Sequence, residues 1–312
     1  MPLAKKHINT YIIIETLGVF VLLSVASVWL HRLHTPWYLQ LPLVIFQGLW
    51  FYRFYIVGHE ASHKKLFPAS KAKNDFWGCA VLLPLMTPIN IYRKIHTFHH
   101  GHNRRDDHTS ALDTFVTKRR PSFLIKAWFY TLWYLSIFFG GLFVHSLVSV
   151  VLFLFTPPSL SVRISPAFIG WSGRDQLKAI AIFSIGVGLH LGVYFIGGRD
   201  VYLYSLGYAM LAFAWWLSLL VYIFHYDTTK GPDTRCHVRA LRYVPVMSWV
   251  LMRFNEHATH HQYPNIPWHE LAQKRQELPE YYHARNQNTY SFFRAVINQL
   301  KGPTIVYRDE HP

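Results

Sequence analysis

Cysteine is nearly absent. Only Cys79 and Cys236 occur in 312 residues, far apart and outside any CxxC pair, which excludes a disulfide framework and a cysteine-built structural zinc site. Acidic residues are scarce as well: 16 Asp and Glu stand against 31 Lys and Arg, for a net charge of +15. That surplus raises nucleic acid as a partner, but no recognition motif accompanies it and membrane topology accounts for it better. No nucleotide-binding glycine fingerprint, internal repeat, low-complexity tract or dividing linker is found, so residues 1–312 read as a single domain.

Charge itself is missing over long stretches. From Tyr11 to Leu30 only Glu15 is charged, and from Pro36 to Val57 only Arg53. Leu177 to Ile196 and Val201 to Phe224 form a second such pair across the turn-like Gly197 to Asp200. Each run suffices to cross a hydrocarbon core of about 30 Å, which takes roughly 20 helical residues. A soluble protein with long buried helices is the weaker alternative, because core helices seldom stay uncharged over about 18 residues. Lys5 and Lys6 precede the first run as in a signal peptide. Its length and the span that follows at once favour a retained anchor.

The basic residues concentrate in Lys64 to Arg120 and Lys230 to Arg308, whereas the short connections His31 to Thr35 and Gly197 to Asp200 contribute only Arg32 and Arg199. Loops rich in Lys and Arg stay cytoplasmic, which places both basic regions and both termini on that side. Phe76 to Ile91 is apolar but short and carries Pro84 and Pro88, suiting an interfacial or re-entrant piece. Phe123 to Phe155 is long enough to cross, yet Gly140 and Gly141 interrupt it and basic residues flank both ends. It is expected to enter and return, or to lie in the interface.

Histidine is what the chain has in excess. His59 and His63 stand in GHEASHKK after the second span; His96, His99 and His100 in HTFHH; His257, His260 and His261 in HATHH. With 20 histidines in 312 positions, an HxxHH triplet should arise by chance about 0.08 times, so two are poorly explained by chance. Residues three and four apart on a helix share a face, so each cluster aims two or three imidazoles at one point. Neutral imidazole binds iron, zinc, copper or nickel. Eight ring nitrogens exceed what one tetrahedral zinc can use, which suggests two ions. The competing reading is solvated polar faces on basic loops, where Lys and Arg already supply the charge.

His225 in YIFHYDTT is a ninth candidate ligand at the end of the last span. His145 and His190 lie within apolar stretches and are set aside, while His102, His108, His237 and His269 break the spacing. Glu60, Asp106, Asp107, Asp113 and Glu256 are near enough to orient metal-bound imidazoles. For all clusters to share one side, an even number of crossings must separate His100 from His257. Four spans satisfy this if Phe123 to Phe155 does not cross once.

HxxxH after the second span, HxxHH in the next basic loop and HxxHH after the fourth span together resemble the membrane fatty acid desaturase superfamily, which also includes carotenoid ketolases and hydroxylases. The likeness covers roughly residues 11 to 270 and extends to YPNIPWHEL, Tyr263 to Leu271, where such enzymes commonly follow the last histidine box with a Tyr-Pro and Pro-Trp or Pro-Tyr pattern. The resemblance implies an all-α integral membrane protein of four transmembrane helices with a cytoplasmic histidine-rich cap and interfacial helices. It implies two iron ions held by His59, His63, His96, His99, His100, His257, His260 and His261, with His225 matching the extra histidine many members carry. Some acyl-CoA members place an asparagine one turn before that histidine; here Val221 stands there.

The expected activity is O2-dependent introduction of a double bond into a lipid acyl chain, on a membrane lipid or acyl-carrier substrate. Electrons would come from an external donor such as ferredoxin or cytochrome b5, since no haem-binding module is found in these residues. The alternatives are a lipid or carotenoid hydroxylase or ketolase, and a histidine-rich metal transporter or sensor, in which the clusters would line a path through the bilayer.

Overall fold

The computed structural model describes residues 2–108, 111–278, 280, 286 and 290–307. The expected cytoplasmic position of the C-terminus concerns residues 308–312, which lie outside the described residues. The fold is helical apart from one short pair of strands. In chain order the principal helices are α1 (Pro2–Arg32), α2 (Trp37–Ser62), α3 (Lys71–Leu82), α4 (Ile89–His102), α5 (Phe123–Phe138), α6 (Gly141–Phe155), α7 (Pro158–Ile164), α8 (Gly173–Gly197) and α9 (Arg199–Leu220). They are followed by α10 (Pro245–Val250), α11 (His257–Gln262) and α12 (Phe292–Asn298).

Four helices are long and apolar enough to cross a membrane: α1 from His7, α2, α8 and α9. These are the four charge-poor runs, with displaced ends. The second helix continues to Ser62, so His59 lies inside it, whereas the fourth stops at Leu220 rather than Phe224. Pro36 enters α2 as its N-cap, and Ser172 opens α8 through a capping box with Asp175. The pair α5 and α6 would add a fifth span only if both helices count as one, and the chain bends by 87° between them. Gly140 makes this bend with a φ of 83°, which a side chain resists.

The chain divides into two compact units, each drawn from separate stretches. The first comprises Met1–Lys94, His145–Trp216 and Val250–Met252. Its centre is the contact of α1 with α2, where Phe20 meets Phe51 and Phe54 at ring-centroid distances of 5.6 and 5.5 Å. Trp50 Nε1 donates to Thr16 O at 2.9 Å. Glu15 and Arg53, the lone charges of the runs Tyr11 to Leu30 and Pro36 to Val57, pair with each other, and Arg53 also donates to Thr16 Oγ1 at 3.1 Å and Val250 O at 3.4 Å. The guanidinium is fully buried, and pairing offsets the large cost of placing it there. At Gly48 α2 lies against α9, so closely that a β-carbon there would collide with Ala212.

The stretch from 76 to 91 does not cross within this unit. It forms the end of α3, a 3-10 turn at Leu83–Leu85 and the start of α4. His190 of α8 reaches Pro84 O at 2.8 Å, so its Nε2 carries the proton and donates.

The second unit comprises Ile95–Val144, Leu217–Trp249 and Arg253–Pro312. Its two strands, β1 (Thr114–Thr117) and β2 (Thr304–Tyr307), pair in parallel, Thr114 opposite Thr304. The segment before β2 is tied down by Trp133 Nε1 donating to Gln299 O at 2.9 Å, Gln299 Nε2 to Leu219 O at 3.0 Å, and Tyr226 Oη to Gly302 O at 2.6 Å. These bonds tie the segment before β2 to α5, to the end of α9 and to Tyr226, the neighbour of His225.

Candidate metal centre

Within the second unit the helical period does what the spacing predicts. α4 presents His96, His99 and His100 over its last turns, and the single turn and a half of α11 presents His257, His260 and His261. His225 arrives differently: beyond Leu220 the chain leaves the helix and runs through successive turns, with Tyr226 N bonded to Tyr222 O at 2.8 Å and His225 N to the same oxygen at 3.0 Å.

Two donor sets result. His99, His225, His257 and His261 offer ring nitrogens that all lie within 4.8 Å of one another, and so do His96, His100 and His260. In the first set His225 Nε2 faces His257 Nε2 at 3.1 Å. In the second, His100 Nε2 lies 3.1 Å from His96 Nε2 and 3.2 Å from His260 Nε2. The sets adjoin, for the His100 ring stacks on that of His261 at 4.1 Å. In the first unit, His59 in the last turn of α2 and His63, which caps its C-terminus, have ring centroids 4.9 Å apart.

These donors fit a metal. Two ligands at about 2.1 Å from one ion, subtending about 90–110°, have nitrogens about 3.0–3.4 Å apart, the range in which these pairs fall. His261 is 1% exposed, and neither of its ring nitrogens has a hydrogen-bond partner among the described residues. A buried polar group so left is costly unless something else binds it. Protonation is suppressed too. Burial pulls His99 down to about 4, and it pulls His225 and His261 well below the ordinary imidazole value, with neighbouring imidazoles adding to the effect. At neutral pH these rings are lone-pair donors, as ligation requires.

The carboxylates divide. Asp113 accepts from Arg104, from Tyr222 Oη and from Asp227 N, and Glu256 from Asn255 and Arg275, so neither orients an imidazole among the described residues. Asp107 pairs with Lys230 at 2.9 Å, and Asp106 accepts from His108 N. Glu60 lies buried in α2 one position past His59. Among the histidines set aside, His237 holds a loop, its Nδ1 2.8 Å from Thr229 Oγ1 and its Nε2 3.0 Å from Gly231 O. Arg104 and Tyr222 escape the sequence reading because neither residue type binds metal; only their burial beside His225 brings them forward.

Four membrane-length helices and a buried polyhistidine site able to bind metal define the class of protein. The model of the fatty acid desaturase family matches residues 35–293, and the chain belongs to that family. In this family such clusters typically hold two irons. The chain is 32% identical over 99 residues to the sn-1 oleoyl-lipid 12-desaturase of Picosynechococcus sp., covering 31% of this chain and 28% of that protein. It is 22% identical over 291 residues to a chloroplastic omega-3 fatty acid desaturase of Glycine max, covering 85% of this chain and 58% of that protein. The sn-1 oleoyl-lipid 12-desaturase of Anabaena variabilis is 34% identical over 77 residues, 24% of this chain and 21% of the relative. The chain thus spans less than two thirds of each of these relatives.

Proposed function

We propose that this chain is an O2-dependent acyl-lipid desaturase whose nine histidines hold two irons. His99, His225, His257 and His261 would hold one; His96, His100 and His260 would hold the other, with His59 and His63 added to the donor set by the family pattern. The observation that carries the reading is the convergence of seven buried or half-buried imidazoles, three of which, His99, His225 and His261, are held neutral by burial, in a member of the desaturase family. The whole of residues 1–312 is read as one functional domain.

Bound there, a pair of irons supplies the oxidising power to break an unactivated C–H bond, which no side-chain acid or base provides. The reaction balances with two hydrogens lost from the acyl chain, one O2 reduced to two waters, and two electrons and two protons supplied from outside. The protein's part is to orient the donors and to keep water from the site. Val221, where some acyl-CoA members carry asparagine, and the oleoyl-lipid substrate in the names of two of the relatives favour a lipid-linked acyl chain over acyl-CoA.

The histidine-bearing segments and both termini are proposed to be cytoplasmic, from the distribution of Lys and Arg. The same basic surface would attract an acidic electron carrier, ferredoxin or cytochrome b5. The deciding experiment is mass spectrometry of lipids from a host of simple acyl composition expressing the chain. A product lighter by two hydrogens is expected. A product heavier by one oxygen, or an unchanged acyl profile with iron bound, would overturn the assignment.

A further inference from the structure

Arg104 stands four residues past His100, in the turn that ends α4, and its backbone is left-handed with a φ of 49°. An L-residue other than glycine holds that conformation at a cost of about 1 kcal/mol, and does so where the surroundings over-determine it. Here the surroundings are specific. The side chain is buried, and its Nη1 donates to Asp113 Oδ1 at 2.5 Å and to Tyr222 Oη at 3.1 Å. Its Nη2 donates to Thr228 O at 3.0 Å and its Nε to Thr229 O at 3.2 Å.

Asp113 completes the grip. Its Oδ1 accepts from Tyr222 Oη at 3.2 Å and its Oδ2 from Asp227 N at 2.8 Å. Burial and the adjacent Asp113 raise the Tyr222 phenol above its ordinary value, so it stays neutral and keeps the proton it donates. His225 is therefore bracketed three residues before, at Tyr222, and two to four residues after, at Asp227, Thr228 and Thr229. This is the stretch where α9 has ended and backbone carbonyls have lost their helical partners.

We infer that Arg104 and Asp113 are a positioning pair that sets His225 against His99 and His257 before metal arrives, linking the end of α4 to the turns after α9. The ring of His225 lies 4.7 Å from that of His99 and 5.1 Å from that of His257. Only a planar, rigid fork satisfies a carboxylate, a phenol and two carbonyls at once, so Lys does not replace Arg here.

The inference rests on the two-metal reading above, and the test separates the two. Metal-stripped full-length protein in detergent is titrated with Co2+, following both stoichiometry and d–d absorption, with melting of the metal-free form measured alongside. Wild type is expected to bind two Co2+. Arg104→Lys and Asp113→Asn should keep one site at wild-type affinity and weaken the other by about 10–100-fold with an altered spectrum, as loss of support behind a ligand does. Tyr222→Phe, the milder change, should weaken the same site by about 10-fold and decides the matter if the first two variants do not fold. Equal weakening of both sites, or unchanged binding and spectrum in all three variants, overturns the pair's role. Wild type binding fewer than two Co2+ overturns the two-metal reading, and the inference with it.

Discussion

Two buried histidines of this chain have opposite circumstances, and substitution should expose the difference. His261 has no hydrogen-bond partner on either ring nitrogen among the described residues, whereas His190 donates to a backbone carbonyl in the turn after α3. His261→Ala should cost one metal equivalent by elemental analysis and at least about 100-fold in product formation. His190→Ala should keep both metals and lose roughly 1–3 kcal/mol of stability, because it leaves the Pro84 carbonyl without its donor. Equal metal loss in the two variants would contradict the assignment.

Acid should also discriminate. His99 is held to about 4 by burial, against an ordinary imidazole value of 6.5. Above that ordinary value neither folded nor unfolded chain binds the proton, and the contribution to stability is complete. Below it the unfolded chain takes up protons that the folded one refuses, so stability falls progressively down to about pH 4, as it does for His225 and His261, which are lowered in the same sense. Melting of the metal-free protein should drop steadily over that window. A melting temperature flat from pH 6.5 to 5 would show that the rings are not buried as described.

Among the elements, the contact of α1 with α2 carries the least expected chemistry. Two charges that interrupt otherwise uncharged runs within these helices find each other, and Arg53 is fully buried. Removing one partner leaves the other uncompensated, so Glu15→Gln should cost roughly 3 kcal/mol, read as a lower melting temperature in detergent. Glu15→Gln with Arg53→Met should recover most of it, since an apolar pair of similar volume suits that environment. If the double variant is no better than the single one, the pair serves something other than mutual neutralisation.

Helices of this kind are legible because absence of charge is a long-range signal, and α1, α2, α8 and α9 follow the four runs. Their ends are less so. The apolar pattern carries on to Phe224, but the helix stops at Leu220, where Tyr222, Asp227 and Thr228 are claimed by Arg104 and Asp113. Those partners lie more than 100 positions away along the chain, out of reach of local periodicity. The clustered histidines were readable because i, i+3 and i+4 spacing survives into α4 and α11. What holds His225, a lone histidine, was not, because that depends on tertiary contacts with residues whose types suggest no metal.

At the scale of the whole molecule the decisive question is sidedness. If Lys64 to Arg120 and Lys230 to Arg308 face the cytoplasm, four crossings suffice, and the short connections at His31 to Thr35 and Gly197 to Asp200 must face the other way. Single-cysteine variants test this, built on a chain with Cys79 and Cys236 replaced by serine and treated with a membrane-impermeant maleimide on intact cells. Arg199→Cys should be labelled from outside; Arg105→Cys should react only after permeabilisation. The same geometry sets the electron supply. A donor that docks on the basic face is held by exposed charges that salt screens over about 10 Å at 0.1 M, so turnover with an acidic carrier should fall steeply between low and 0.3 M salt while metal content stays constant. Turnover indifferent to salt would assign the basic face to anionic lipid headgroups, whose attraction follows the same physics but does not limit the delivery of electrons.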